Sequence, residues 1–371
     1  MNEVIIAVVG CLHGDLDKMY NKIQEIENKD NIKVDLVLCC GDFQSVRNKA
    51  DLESMAVPLK HRRLKDFQQY FDGTCIAPIL TLFVGGNHEA ANYLWELPFG
   101  GWVAKNIYYM GHSNVLTFGG IKIGGVSGIY KGYNYLQGHT EFPPFNASSM
   151  RSFYHIRKID IEKMKKMEDI DIIISHDWPT GIWNYGNVDQ LLSIKPFFKS
   201  DIKQNTLGCP ALMDLINELH PPYYFCAHMH VCFPATVAHS DKITKFLALD
   251  KILPRRKFID ILKVGPVKGP KILSYDPKWL AITKKFSPYH KFQSVSTPQI
   301  DITQENIEEM IEKFHDLSLP NNFEAIHIES VRDECRSEPF INSQNTYFCQ
   351  NISIQNPCLS NKYVNPEEII I

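Results

Sequence analysis

The sequence predicts an α/β fold with largely buried sheets, and three observations carry that reading. Short apolar runs rich in β-branched residues recur through the first 250 residues. Most of them end in Gly, Asn, Asp or His, as a buried strand does where it opens into a polar loop. Stretches with helical spacing of apolar residues lie between several of the runs, as expected of a sheet whose strands are joined by helices.

The runs are VIIAVV (4–9), KVDLVLCC (33–40), APILTLFV (77–84), IKIGGVSG (121–128), DIIIS (171–175) and YYFCAH (223–228). Helical patterns fall at 16–28, 48–56, 160–168 and 210–219. Residues 128–158 break the alternation: GIYKGYNYLQGHTEFPPFNASSMRSFYHIRK is aromatic, basic and turn-rich without clear periodicity, and reads as a long insertion. After residue 298, Ile307, Met310, Ile311, Phe314 and Leu317 recur at helical spacing, and then Asn, Ser and Gln dominate. This predicts one amphipathic helix packed on the body, followed by a poorly ordered tail. The expected organisation is a catalytic body over 1–250 carrying the insertion 128–158, a smaller C-terminal extension over 251–318, and an acidic tail over 319–371.

Composition narrows the class. The chain has 371 residues, 44% apolar and 22% charged, which suits one large globular domain with an extension. The opening MNEVIIAVVG lacks a basic n-region and no apolar run is long enough for a bilayer, so an intracellular setting without a membrane is expected. Ten cysteines lie scattered without a C-x-x-C pair, which reads as reduced thiols. The net charge of −3 divides into −9 from Asp301 onward and +6 before it, so the body favours a polyanionic partner. Within the body, 242–271 holds nine Lys or Arg against Asp250 and Asp260, a segment suited to a polyanionic partner or to docking a helix.

Ligand sites in open α/β sheets lie beyond the carboxyl ends of the strands. Five such loops carry metal-ligand residue types: GCLHGD (Cys11, His13), GDFQ (Asp42), GGNHE (Asn87, His88), SHDWP (His176) and AHMH (His228, His230). A lone His or Asp at a strand end is most often structural, and Cys is among the most buried residue types. Five such loops in succession, each after an apolar strand, point instead to a metal centre.

This ordered set resembles the metallophosphoesterase family, whose pattern runs D-x-H, G-D, G-N-H-[DE], H and G-H-x-H on a two-layered sheet flanked by helices. The resemblance covers 5–230. It implies one metal held by Cys11, His13, Asp42 and His230 and a second held by Asp42, Asn87, His176 and His228, with Asp42 bridging. Two divalent ions can clamp the attacking and leaving oxygens of an in-line phosphoryl displacement, with a metal-activated hydroxide as nucleophile. His88 is left to bind the phosphate and protonate the departing oxygen. Asp177 stands beside His176, where a carboxylate could orient the ligating ring.

Two residues depart from the family pattern. Ala227 replaces the usual glycine before His228, and Cys11 stands where the family normally has aspartate. A thiolate shifts preference from Mg and Mn toward Zn or Fe(II), with Mn still admissible, and leaves open whether one or two ions bind.

The Cys-x-His-G opening, GGNHE, the insertion, SHDWP and TKFLALDKILPRRKFIDIL after AHMH together resemble the RNA lariat debranching enzymes. That resemblance implies hydrolysis of the 2′,5′-phosphodiester at the branchpoint of intron lariats, leaving a free 2′-hydroxyl and a 5′-phosphate. It also implies branched RNA as partner, a monomer, and a nuclear setting with a cytoplasmic share allowed. Branched RNA offers unstacked bases and dense phosphates, which aromatic platforms and basic side chains bind. Tyr130, Lys131, His139, Tyr154, His155 and Arg157 supply those types within the insertion. The rival readings are a protein phosphatase of the same superfamily and a non-catalytic scaffold that keeps the fold.

Overall fold

A computed structural model describes residues 3–292, 299–325 and 340–360. The six expected strands form as β1 (Val4–Val9), β2 (Leu36–Cys39), β3 (Thr81–Phe83), β7 (Ile121–Val126), β8 (Ile172–Ser175) and β9 (Tyr223–Cys226). Between β3 and β7 lie β4 (Gly101–Ala104), β5 (Ile107–Tyr109) and β6 (Ser113–Phe118). After β9 come β10 (Phe233–Ala238), β11 (Ile243–Ala248), β12 (Ile259–Val264) and β13 (Ser274–Tyr275). Two sheets result, in the orders β12-β1-β2-β3-β5-β4 and β10-β11-β9-β8-β7-β6-β13.

The central strands are parallel: β1, β2, β3 and β5 in one sheet, β7, β8, β9 and β11 in the other. Their apolar runs are continuous because both faces are covered. Val4, Ile6 and Val8 of β1, Leu36 and Leu38 of β2 and Leu82 of β3 meet Ile123, Ile172, Ile174 and Phe225 of the second sheet, so the two sheets face each other as a sandwich. The alternate residues Ala7, Val9, Val37 and Phe83 face outward onto helix Leu16–Asp30. That helix buries Leu16, Met19, Tyr20 and Ile23, one face at helical spacing, and ends where Asn31 turns left-handed and returns its N–H to Glu27 O. Helices Lys158–Lys165 and Pro210–Leu219 cover the other outer face. The layers run helix, sheet, sheet, helix.

The basic stretch 242–271 is not a loose arm: β12 lies antiparallel along β1, from Val4 opposite Val264 to Val9 opposite Ile259. The amphipathic helix spans Gln304–Phe314 with Met310 fully buried and Ile311 largely exposed. The expected poorly ordered tail departs from the structure over 340–360, where helix Ser343–Asn351 docks on the body. Phe348, Cys349 and Ile352 join the core, and the Gln344 side chain accepts from Trp102 N (2.8 Å) and donates to Trp102 O (2.8 Å) on β4. The rest of that tail, 326–339 and 361–371, lies outside the described residues.

Candidate metal centre and active site

All five ligand loops leave the carboxyl ends of central strands on one rim of the sandwich, as the strand-end argument requires. The loops bend sharply, and His13, Asp42, His228 and His230 all sit at positive φ (49°, 46°, 59° and 50°). Such backbone costs about 1–3 kcal/mol per residue and clusters at functional sites. Two glycines allow the loops to close on one another. A Cβ on Gly41, itself at φ +97°, would stand 2.3 Å from His176 Nδ1, and one on Gly86 would stand 2.2 Å from Asp42 Oδ1.

One ligand atom each from Cys11, His13, Asp42 and His230 lies within 4.8 Å of the others. His13 N donates to Asp42 O (2.7 Å), and His228 N donates to Cys11 Sγ (3.3 Å), tying the first, second and fifth loops together. The His13 and His230 Nε2 atoms face each other at 3.3 Å. Beside them, His176 Nδ1 donates to Cys40 O (2.8 Å), which fixes the tautomer, because a carbonyl can only accept. The His176 Nε2 faces Asp42 Oδ1 (3.2 Å) and Asn87 Oδ1 (3.2 Å), and although burial opposes charge on the ring, Asp42 raises its pKa. Lone pairs gathered in this way repel unless positive charge lies among them, as a proton or as a cation. The ring of His228 packs 4.9 Å from that of His176. Among the described residues, Cys11, His13, Asp42 and His230 are the group whose ligand atoms gather this closely, and their N, O and S donors fit a divalent ion.

The electrostatics agree with that fit. Burial pushes His13 and His228 down to about 4 and His230 to about 3, so all three rings are neutral donors at physiological pH. Burial opposes charge on Asp42, yet the facing His176, His88 and His13 hold its carboxylate well below the usual range. Burial and then the Asp42 charge push the Cys11 thiol well above its ordinary value. A cation beside Sγ reverses that preference and favours the thiolate.

His88 donates its backbone N–H to Asp42 Oδ1 (2.8 Å), and its ring stands edge-on to His13 with centroids 4.8 Å apart. The side chain reaches the rim without being needed as a ligand. Asp177 does something other than orient His176: its carboxylate accepts from Tyr130 N (2.8 Å) and Trp178 N (2.9 Å), which fixes the start of the insertion. The residue that sequence reasoning missed is Glu89. Its buried carboxylate accepts from Phe43 N (2.7 Å), Gln44 N (2.9 Å) and Gly86 N (3.2 Å) and so pins the Asp42 loop. Burial and the nearby Asp42 raise it to about 7. Its place in GGNHE next to two candidate residues was the available signal.

The insertion is folded, with helices Gly132–Tyr135 and Ala147–Phe153 and a bridge from Ile129 to His155. Three of the six expected RNA contacts have their side chains engaged within the fold. Arg157 is fully buried, with NH1 donating to Asn134 O (2.8 Å) and NH2 to Ser152 O (2.9 Å) and Glu141 Oε1 (2.5 Å). His139 is buried against Asp160 (2.6 Å) and stacked on His112, and buried His155 pairs Nδ1 with Asn134 Oδ1 (2.7 Å). Arg157 and His155 bond groups of the insertion itself, and His139 ties it to Asp160 on the following helix. Tyr130 and Tyr154 are half-buried, and Lys131 is exposed with no acidic partner among the described residues. Tyr133 and Arg151, which were not singled out, are exposed there as well.

Comparison with known proteins accords with this geometry. Residues 5–232 match the calcineurin-like phosphoesterase family model, and residues 241–357 match the model of the lariat debranching enzyme C-terminal domain. The second match includes helix Ser343–Asn351. The chain is 44% identical to lariat debranching enzyme A of Xenopus laevis over 374 residues, which span 94% of this chain and 70% of that protein. It is 44% identical to the lariat debranching enzyme of Homo sapiens, with 94% and 69% covered. The Danio rerio enzyme is 52% identical over 287 residues, 75% of this chain and 50% of that protein, so the chain matches half the length of that relative. With its ligand loops on a calcineurin-like phosphoesterase body and the family's C-terminal domain behind them, the chain belongs to the lariat debranching enzyme family.

Proposed function

We propose that this protein hydrolyses the 2′,5′-phosphodiester at the branchpoint of lariat RNA, releasing a 2′-hydroxyl and a 5′-phosphate. The observation that carries the reading is the convergence of Cys11, His13, Asp42 and His230 within 4.8 Å, with the His88 ring 4.8 Å from that of His13. Cys11, His13, Asp42 and His230 would hold one ion, and Asp42, Asn87, His176 and His228 a second. When bound, such ions lower the pKa of water and neutralise charge on the transferring phosphoryl group. The Cys11 sulfur favours Zn or Fe(II) over Mg, with Mn admissible.

The residues divide the remaining work. Glu89 and Gly86 hold the Asp42 loop in its left-handed turn, and Cys40 O holds the His176 ring. His88, anchored by its own backbone to Asp42, presents its imidazole at the rim, where it protonates the departing 2′ oxygen. The Lys131 ammonium and the Tyr133 ring face solvent at the start of the insertion, positioned for phosphate and base. The protein acts as a monomer, in the nucleus with a cytoplasmic share.

The test is His88→Ala. Cleavage of a synthetic branched RNA should fall by about 10²- to 10⁴-fold while binding of that RNA is retained. Near-normal turnover would remove His88 from the mechanism.

A further inference from the structure

Outside the insertion, a second surface reaches the metal centre from the opposite chain segments. Phe197, between helices Val188–Ile194 and Phe198–Gln204, is 67% exposed, although its neighbour Phe198 is buried. The Lys195 ammonium lies 5.8 Å from the Phe197 ring centroid. The charges of Asp250, Arg256 and Lys251 all act on the Lys195 ammonium, which places the two segments near one another.

The strip continues inward. Arg256 pairs with Asp250 (3.3 Å), while Lys195, Lys251 and Arg255 have no acidic partner among the described residues. Arg255 stands exposed at φ 63° at the turn closed by Arg256 N donating to Leu253 O (3.2 Å). Lys251 stands next to the centre, since the following residue, Ile252, donates its N–H to Cys11 O (3.0 Å). An exposed aromatic ring, four cations against one carboxylate, and contact with the ligand loops thus form one continuous path.

We propose that this strip is a second RNA platform, on which a base of one arm of the branched substrate stacks against Phe197 while Lys195, Lys251 and Arg255 take its phosphates toward the metal centre. The proposal rests on the lariat-hydrolysing function above and adds a binding wall built from Lys195–Phe197 and Lys251–Arg256 to the one offered by the insertion. The chemistry is sequence-tolerant, because every base has a face to stack and every residue of the arm a phosphate. A flat aromatic and cationic strip leading into a phosphodiesterase centre suits a single-stranded polyanion better than a protein partner.

The experiment uses the metal-replete full chain and three substrates: a synthetic branched RNA with extended arms, the same branch with arms trimmed to single nucleotides, and a small aryl phosphodiester. Phe197→Ala should raise KM for the long-armed RNA by roughly 5- to 150-fold with kcat unchanged. The trimmed branch and the aryl diester should be hydrolysed as by wild type, and Phe197→Trp should restore the long-armed KM. Lys195→Gln and Arg255→Gln should each lower the slope of log affinity against log salt by about 0.7. An unchanged long-armed KM in Phe197→Ala overturns the proposal, as does a loss shared equally by the aryl diester. An unchanged KM with altered self-association would assign the face to a second copy of the chain and also overturn it. Wild-type protein that fails to cleave branched RNA would instead sink the underlying functional reading.

Discussion

Arg157 separates a residue that holds the insertion together from one that touches RNA. Arg157→Met keeps an unbranched stem of similar length and removes the guanidinium. Three interactions go with it: those to Asn134 O (2.8 Å), Ser152 O (2.9 Å) and the Glu141 carboxylate (2.5 Å). Two carbonyls losing donors cost about 1 kcal/mol each. The larger loss is the Glu141 carboxylate, 8% exposed, left without its counter-charge. Breaking a buried ion pair from one side destabilises by about 3–5 kcal/mol, and that range is expected here. Urea unfolding of wild type, Arg157→Met, Glu141→Gln and the double variant measures it as a double-mutant cycle. The double variant should recover part of the loss, since no charge is stranded. If Arg157→Met unfolds at the wild-type urea concentration and only its KM for branched RNA rises, Arg157 is a contact residue and the reasoning from burial is wrong.

Three further outcomes follow from the same geometry. Gly41→Ala should displace His176 from Cys40 O, because the new Cβ would lie 2.3 Å from Nδ1, and metal affinity should fall about 10- to 100-fold by titration calorimetry. Cys11→Asp should move activity away from Zn and Fe(II) and toward Mn and Mg, read from elemental analysis and rates with each metal; an unchanged preference would remove sulfur as the selecting atom. Burial, with His139 and His290 beside it, holds the His112 pKa well below 6.5. The unfolded chain therefore binds the proton more readily, so this contribution to stability is complete above pH 6.5 and is lost as pH falls below it. His112→Asn should shrink the stability lost between pH 7.5 and pH 5.5 by about 1.4 kcal/mol in urea unfolding, and an unchanged loss would contradict the assignment.

The candidate ligands were legible because each stands where a buried strand ends, and strand ends on one side of a parallel sheet share a rim. Cys11, His13, Asp42, Asn87, His176, His228 and His230 need only the strand pattern and the loop chemistry to be brought together. The insertion was not legible in the same way. His139, His155 and Arg157 have side chains that usually face water, and nothing in their spacing says that Asp160, Asn134 and Glu141 will meet them inside. The strands after β9 were missed for a related reason. β10 begins Phe233-Pro234 and β12 carries Asp260 and Lys263, so their composition reads as edge or loop until β11 and β1 supply the pairing. Helix Ser343–Asn351 has the polar sequence SQNTYFCQN and little helical stripe, and its order comes from Gln344 clasping Trp102 and from Phe348 filling a hole in the core.

The pairing of β1 with β12 bears on how the protein is made. During synthesis Val4–Val9 leaves the ribosome early, while its antiparallel neighbour Ile259–Val264 emerges about 250 residues later. At roughly 5–20 residues per second, that interval lasts on the order of 10–50 seconds, with an apolar edge open to any other strand. His228 and His230, the last ligands, emerge before that edge is closed. All the loops that carry the candidate ligands therefore leave the ribosome before β12 can shelter β1.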